Sequence, residues 1–174
     1  MNEVLSAIRS RRSVRAYTDE MPSRELIDQV IESGIWAASG KNLQGPIVVA
    51  VTNRELRDRL SRMNLEVLGT PGGKDPFFGA PVVLVVLAPR EQANRLYDGS
   101  LVMGNLMLAA HSLGLGSCWV HRARQEFDTE EGKAILAELG IEGDYEGIGH
   151  CVLGYPAEEP ADRPRREGRV FYAE

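Results

Sequence analysis

The sequence predicts an α+β domain in which a mixed sheet of four or five strands is flanked by helices. Three observations carry that prediction. Two continuous apolar runs, IVVAV (47–51) and VVLVVLA (82–88), have the length and the β-branched composition of strands. Around them lie segments with apolar residues at three- and four-residue spacing, the pattern of helices with one buried face. The chain has 174 residues. That length suits one domain burying roughly two-thirds of its unfolded surface. Residues 1–174 are accordingly read as a single unit, with 156–174 as a C-terminal tail.

Each element follows from local chemistry. Asn2 is placed to cap a first helix that carries Val4, Leu5 and Ile8 on one face. After Pro22 a second helix sets Leu26, Ile27, Val30, Ile31 and Ile35 at helical spacing and is expected to end near Ser39 and Gly40. IVVAV reads as a buried strand. Arg54 to Leu68 reads as a helix with Leu56, Leu60 and Met63 inward. Residues 69–81, GTPGGKDPFFGAP, are dense in Gly and Pro and read as a loop. VVLVVLA reads as a central strand covered on both faces. From Arg95 to Leu113 the pattern is helical and apolar nearly all round, so part of that helix is expected to meet another subunit. SCWVH (117–121) and HCVLGY (150–155) read as a third and a fourth strand. Between them Asp128 and Glu131 resemble a capping box for a helix through Leu139, with Gly140 at its end. In the polar tail, RVFY (169–172) could add a strand to a sheet edge.

Charge and composition narrow the function. The net charge is −5, with 43% hydrophobic and 26% charged residues. That acidity argues against a nucleic-acid binder, whose footprint is a basic face. The longest apolar stretch, LVMGNLMLAA, is too short to span a bilayer. Cys118 and Cys151 are the only cysteines. With an N-terminus that lacks the apolar core of a secretory signal, they suggest reduced thiols in a cytoplasmic protein. Against this acidic background RSRRSVRAY puts Arg9, Arg11, Arg12 and Arg15 into seven positions. Such a block is either a solvated helix end or an anion clamp, since guanidinium forks match phosphate oxygens and stay charged.

Short motifs of other chemistries fail. GLGSCW (114–119) begins like a dinucleotide fingerprint but ends in Trp119 and lies between a helix and a strand, the reverse of the required order. GTPGGK (69–74) is one residue short of a P-loop, with Asp75 where a hydroxyl is needed. His111, His121, His150, Cys118 and Cys151 lack metal-ligand spacing.

What remains is an ensemble: RRSVRAY after a first helix, ASGKNLQGP after a second, GAPVVLVV, NLMLAAHSLGLGSCWVH, and CVLGYP with an arginine tail. In that order and at those distances it resembles the nitroreductase family of FMN-dependent oxidoreductases over essentially the whole chain. The resemblance implies a domain-swapped homodimer with FMN at the interface. It assigns the FMN phosphate and ribityl end to Arg11, Arg12, Ser13 and Arg15, joined by Arg163 and Arg165. It implies that Ser39, Gly40, Asn42 and Gln44 contact the flavin bound mainly by the partner. Here Ala38 replaces the family's first Pro, and Gly45 and Pro46 replace its Pro and aromatic residue. It further implies that Trp119, Val120 and His121 line the ring, with the His121 amide as donor to N5. The implied activity is ping-pong hydride transfer from NADH or NADPH to a small-molecule electron acceptor such as a nitroaromatic or quinone. No catalytic side chain and no metal are expected, because the flavin carries the chemistry. A same-fold flavoprotein with another chemistry, reductive dehalogenation or flavin buffering, is the alternative, and a flavin-free anion-binding module a further one.

Overall fold

A computed structural model of the chain describes residues 2–174. In chain order the elements are α1 (Glu3–Ser10), α2 (Arg24–Ile35), β1 (Ile47–Val51), α3 (Arg54–Leu68), β2 (Val82–Pro89), α4 (Arg95–Ser112), β3 (Gly116–Val120), α5 (Ala123–Asp128), α6 (Glu130–Glu138) and β4 (Tyr145–Gly154). The strands form one sheet in the order β1-β2-β4-β3. Val82 to Ala88 are fully buried, which makes β2 the centre. Its alternate residues feed two cores. Val83, Val85 and Leu87 meet Leu60, Met63, Phe77, Phe127 and Ile135 on the face of α3, α5 and α6. Val82, Leu84 and Val86 meet Ile27, Val30, Val102, Met103 and Leu106 on the face of α2 and α4. The strand's period of two thus divides one apolar run between two layers.

Several expectations are corrected. The sheet is antiparallel at every strand pair, not mixed. Among the described residues, parallel pairing is confined to an isolated bridge between Ser13 and Ser117. β1 is an edge strand in which only Val51 is buried, because its other side has no strand neighbour among the described residues. α2 stops at Ile35, four residues before Ser39. Gly34 there packs so closely on α4 that a Cβ would stand 2.4 Å from Leu106. The cap of α6 is Thr129 and not Asp128: its hydroxyl accepts from the Gly132 amide at 3.0 Å and donates to the Glu126 carbonyl at 2.6 Å. Asp128 instead ends α5, a short helix that the polar stretch ARQEFD conceals. β4 begins at Tyr145, five residues before His150. It has a register shift opposite Val86 and Leu87, and Gly147 there lets α5 approach within 2.3 Å of where a Cβ would sit.

The loop 69–81 is pinned rather than loose. Asp75 accepts hydrogen bonds from Arg57, from Ser61 at 2.7 Å and from the amides of Phe77 and Gly79 at 3.1 and 2.8 Å. Arg57 also covers the fully buried ring of Phe77 at 5.4 Å.

Candidate functional site

The arginine block lies where two ends of the chain meet. Asn2 caps α1 by accepting from the Leu5 amide at 2.9 Å, and the helix ends at Ser10. Its terminal carbonyls find a donor in Arg12, whose Nη1 bonds the carbonyls of Arg9 and Arg11 at 2.6 and 2.9 Å. Beyond it the chain runs beside β3, the Val14 amide donating to the Ser117 carbonyl at 3.0 Å. The start of the tail then pairs with the same segment: Thr18 donates to Tyr155, and Ala157 to Ala16. Tyr17 anchors this joint by donating its hydroxyl to the Val14 carbonyl at 2.8 Å. Burial, reinforced by Cys118 and Cys151, pushes the phenol well above its ordinary range, so it remains a donor.

That joint brings residues about 150 apart in sequence around one cavity of ≈ 450 Å³. Its lining includes Arg11, Arg12, Ser13, Arg15, Arg163 and Arg165. All six members of the expected phosphate group are therefore in one place, while Arg9 lies exposed on α1. Nη1 of Arg11 and Nε of Arg12 are buried there without a hydrogen-bond partner. Two carboxylates also enter this region. Asp162 accepts from Arg12, which with the Arg163 amide holds its carboxyl below the ordinary range. Glu158 accepts from the Arg15 amide at 2.6 Å. Burial, then Arg11 and Arg12, lower the pKa of His111, whose Nε2 lies 2.7 Å from the Ser10 hydroxyl.

The second expected group lies elsewhere. The Gly40 amide donates to Asp98 near the start of α4 at 3.0 Å. His111, by the arginines, is thirteen residues further along that helix, roughly 20 Å at 1.5 Å per residue. In one chain, then, Ser39, Gly40, Asn42 and Gln44 do not join the arginine cavity. Ser39 and Gln44 line a different, mostly apolar cavity of ≈ 370 Å³, together with Ile47 and Val102. The segment is tightly bent: Lys41, Asn42 and Gln44 have φ of 54°, 56° and 49°. The Gln44 amide donates to the Ser39 hydroxyl at 2.9 Å, and its side chain to Asn42 at 3.0 Å. A left-handed backbone at three non-glycine residues is costly and is held by these bonds.

The third group follows β3. Val120 is buried, Trp119 is half-buried and His121 is exposed. His121 lies four residues past Ser117, roughly 13 Å at 3.3 Å per residue. The His121 carbonyl accepts from Asn64 at 2.8 Å. Sequence reasoning missed Asp98, Glu158, Asp162 and Asn64. Asp98 had a signal, a lone acid in the apolar helix LYDGSLVMGNL. The two tail acids had a weaker one, alternation with arginines in EEPADRPRR. Asn64, on the polar-looking stretch SRMNLE, had none.

Among the described residues no group of three or more His, Cys, Asp or Glu could hold a metal ion, and no helix is long and apolar enough to cross a membrane. Comparison with known proteins bears on the rest. An FMN reductase [NAD(P)H] of Bacillus subtilis is 28% identical over 187 residues, covering 95% of this chain and 70% of that protein. A nitroreductase of Bacteroides fragilis, solved with bound FMN, superposes with a TM-score of 0.90 at 27% identity, over 100% of both chains. One from Desulfitobacterium hafniense, also with bound FMN, gives 0.89 at 28% identity, again over 100% of both. The model of the nitroreductase family matches residues 8–155, and the chain belongs to that family.

Proposed function

We propose that the protein is an FMN-dependent oxidoreductase that moves hydride from NADH or NADPH to small electrophiles, nitroaromatics and quinones, as a domain-swapped homodimer. The observation that carries this reading is the cavity where Arg11, Arg12, Ser13 and Arg15 meet Arg163 and Arg165. The unpartnered nitrogens of Arg11 and Arg12 fit a terminal phosphate. A buried donor left unsatisfied costs about 1–3 kcal/mol, which phosphate oxygens would relieve. FMN-bound structures of similar nitroreductases support the same choice.

Bound FMN supplies the hydride acceptor and donor. The chain supplies position and electrostatics. Arg11, Arg12, Ser13, Arg15, Arg163 and Arg165 hold the phosphate by charge-assisted hydrogen bonds. Trp119, Val120 and His121 line the ring edge, with the His121 amide as donor. Asn42 and Gln44 offer carboxamides, which suit a pyrimidine edge that alternates acceptors with a donor. With Ser39 and Gly40 they serve the partner's flavin, in keeping with their separation from their own chain's arginines. One site takes nicotinamide and electron acceptor in turn, so a ping-pong order follows and no separate nicotinamide motif is needed.

Apolar surface supports the dimer. α1 has no buried residue: Val4, Leu5 and Ile8 are 62%, 47% and 51% exposed. Tyr97 and Leu101 on α4 and Trp36 after α2 are likewise exposed. Large apolar side chains left exposed in this number suit an interface. The single domain 1–174, with 156–174 reaching the partner, belongs to the same reading. So does a cytoplasmic setting, in keeping with two buried, unpaired cysteines.

The test starts from freshly purified protein. Heat should release FMN, identified by chromatography. Without oxygen, NADH or NADPH alone should bleach the bound flavin, and a quinone or nitroaromatic should restore its colour, with parallel double-reciprocal plots. Protein that takes up no flavin, or that carries FAD, would sink the reading. Intersecting plots would sink the ping-pong order.

A further inference from the structure

Asn64 is a fully buried polar residue on α3, and its carboxamide serves two acceptors at once. Nδ2 donates to the His121 carbonyl at 2.8 Å and to Oε1 of Glu126. Its Oδ1 accepts from Nη1 of Arg122 at 3.3 Å. Glu126, on α5, is also fully buried, and its second oxygen lies 3.1 Å from Nε2 of His150, buried on β4. That contact is poorly aligned, so neither atom makes a hydrogen bond there. Asn64 is therefore the hydrogen-bond partner that fixes Glu126. Polar groups in so dry a setting are held to one arrangement, because each lost partner is expensive.

The network converges on the two residues by which the chain leaves β3. Arg122 has φ of 85°, a left-handed conformation that a non-glycine side chain adopts only when its neighbours hold it. The peptide joining His121 to Arg122 is trans, so its carbonyl and its N–H point in opposite directions. With the carbonyl turned inward onto Asn64, the Arg122 N–H is turned outward. It finds no acceptor among the described residues.

We propose that Asn64, itself fixed by Glu126, is a positioning residue for the oxidoreduction. It sets the plane of the 121–122 peptide and so aims the Arg122 N–H, beside that of His121, at the edge of the bound ring. This rests on the reading that the end of β3 faces the flavin. A donor fixed beforehand where negative charge will grow needs no reorganisation during the reaction, which is why its aim matters. The donor favours the electron-rich reduced ring over the oxidised one.

The experiment measures FMN affinity and the midpoint potential of FMN-loaded wild type and variants. Wild type that takes up no FMN is a failure of the proposed function itself, and is seen before any variant is read. Asn64→Leu, close in volume but without donors, should weaken binding of reduced flavin at least tenfold more than binding of oxidised flavin. For a two-electron couple that is a potential about 30 mV lower. Glu126→Gln keeps an acceptor for Asn64 without the charge and should fall between that variant and wild type. If Asn64→Leu does not fold, Asn64→Ser, too short to reach both acceptors, is read in its place. Ile27→Ala, on the opposite face of the sheet, loses stability without touching the network and should keep the wild-type potential. An unchanged potential in the folded Asn64 variant overturns the proposal. So does an equal shift in Ile27→Ala, which would mean general softening.

Discussion

Arg11 and Arg15 face the cavity through different means, and each is expected to matter. Nη1 of Arg11 is buried and unpartnered, while Arg15 is exposed and keeps its guanidinium free to turn toward an anion. Replacing either with Ala should weaken FMN retention by about 1.5–3 kcal/mol, the worth of a charged hydrogen bond. Arg9→Ala should do little, and titration of apoprotein with FMN separates the three. Asp75 offers a test of a different kind. Burial works to raise its pKa, but the hydrogen bonds from Arg57, Ser61, Gly79 and Phe77 more than offset this and hold it below its ordinary 3.8. A carboxyl lowered in the folded state contributes stability that is complete above its unfolded value and lost as pH falls through the folded one. Urea unfolding of wild type should therefore lose stability on the acid side of pH 3.8. In Asp75→Asn that slope should flatten, with about 1–3 kcal/mol lost at neutral pH as Arg57 loses its partner.

Among the elements, the α5–α6 corner is the most informative. Thr129 ends one helix and starts the next with a single hydroxyl, which donates to Glu126 and accepts from Gly132. Thr129→Ala should cost about 1–2 kcal/mol, the range of lost N-caps. Asp128→Ala removes only a partly exposed pair with Arg90, at 2.6 Å, and should cost less. Thermal unfolding of the two variants ranks them, and the reverse order would restore Asp128 as the cap. The corner also holds Glu126 in place beneath the end of β3. A loosened cap should therefore be felt in the flavin potential as well as in stability.

For the molecule as a whole, the proposed dimer would have the tail couple assembly to cofactor binding. Val170, Phe171 and Tyr172 are 69%, 89% and 85% exposed, an apolar end left largely uncovered. Arg163 and Arg165 lie just before it and line the arginine cavity. Deleting residues 168–174 should weaken the dimer and loosen FMN together, although no flavin contact is assigned to the deleted residues. An interface that completes a cofactor site makes stability depend on protomer concentration. Light scattering of wild type and truncation, with bound flavin counted in each, checks this. A monomeric truncation that keeps its full flavin would refute the coupling.

Much of this was legible in the residues. The limits of α3, the central place of β2 and the Asn2 cap follow from local spacing and capping chemistry, which act within a few residues. The arginine block stood out because four like charges in an acidic chain call for a counterion. Other features depended on the path of the chain. IVVAV and VVLVVLA look alike in sequence, yet one is an edge and the other a centre, since apolarity does not say how many neighbours a strand has. Strand direction is set by the connections, so the sheet came out antiparallel. Thr129 displaced Asp128 because α5, hidden in a polar stretch, used Asp128 first. The Asn64 network joins α3, β3 and α5, elements whose adjacency no local pattern encodes. By itself the sequence determined most of the helices and strands, α5 and the start of β4 excepted, and where the cations lie, because propensity and periodicity are short-range. That residues 11–15 meet 163–165 and that 39–44 do not was implied by family resemblance, but no local pattern encodes it and only the tertiary structure displays it, because closing a loop of some 150 residues is a property of the whole packed chain.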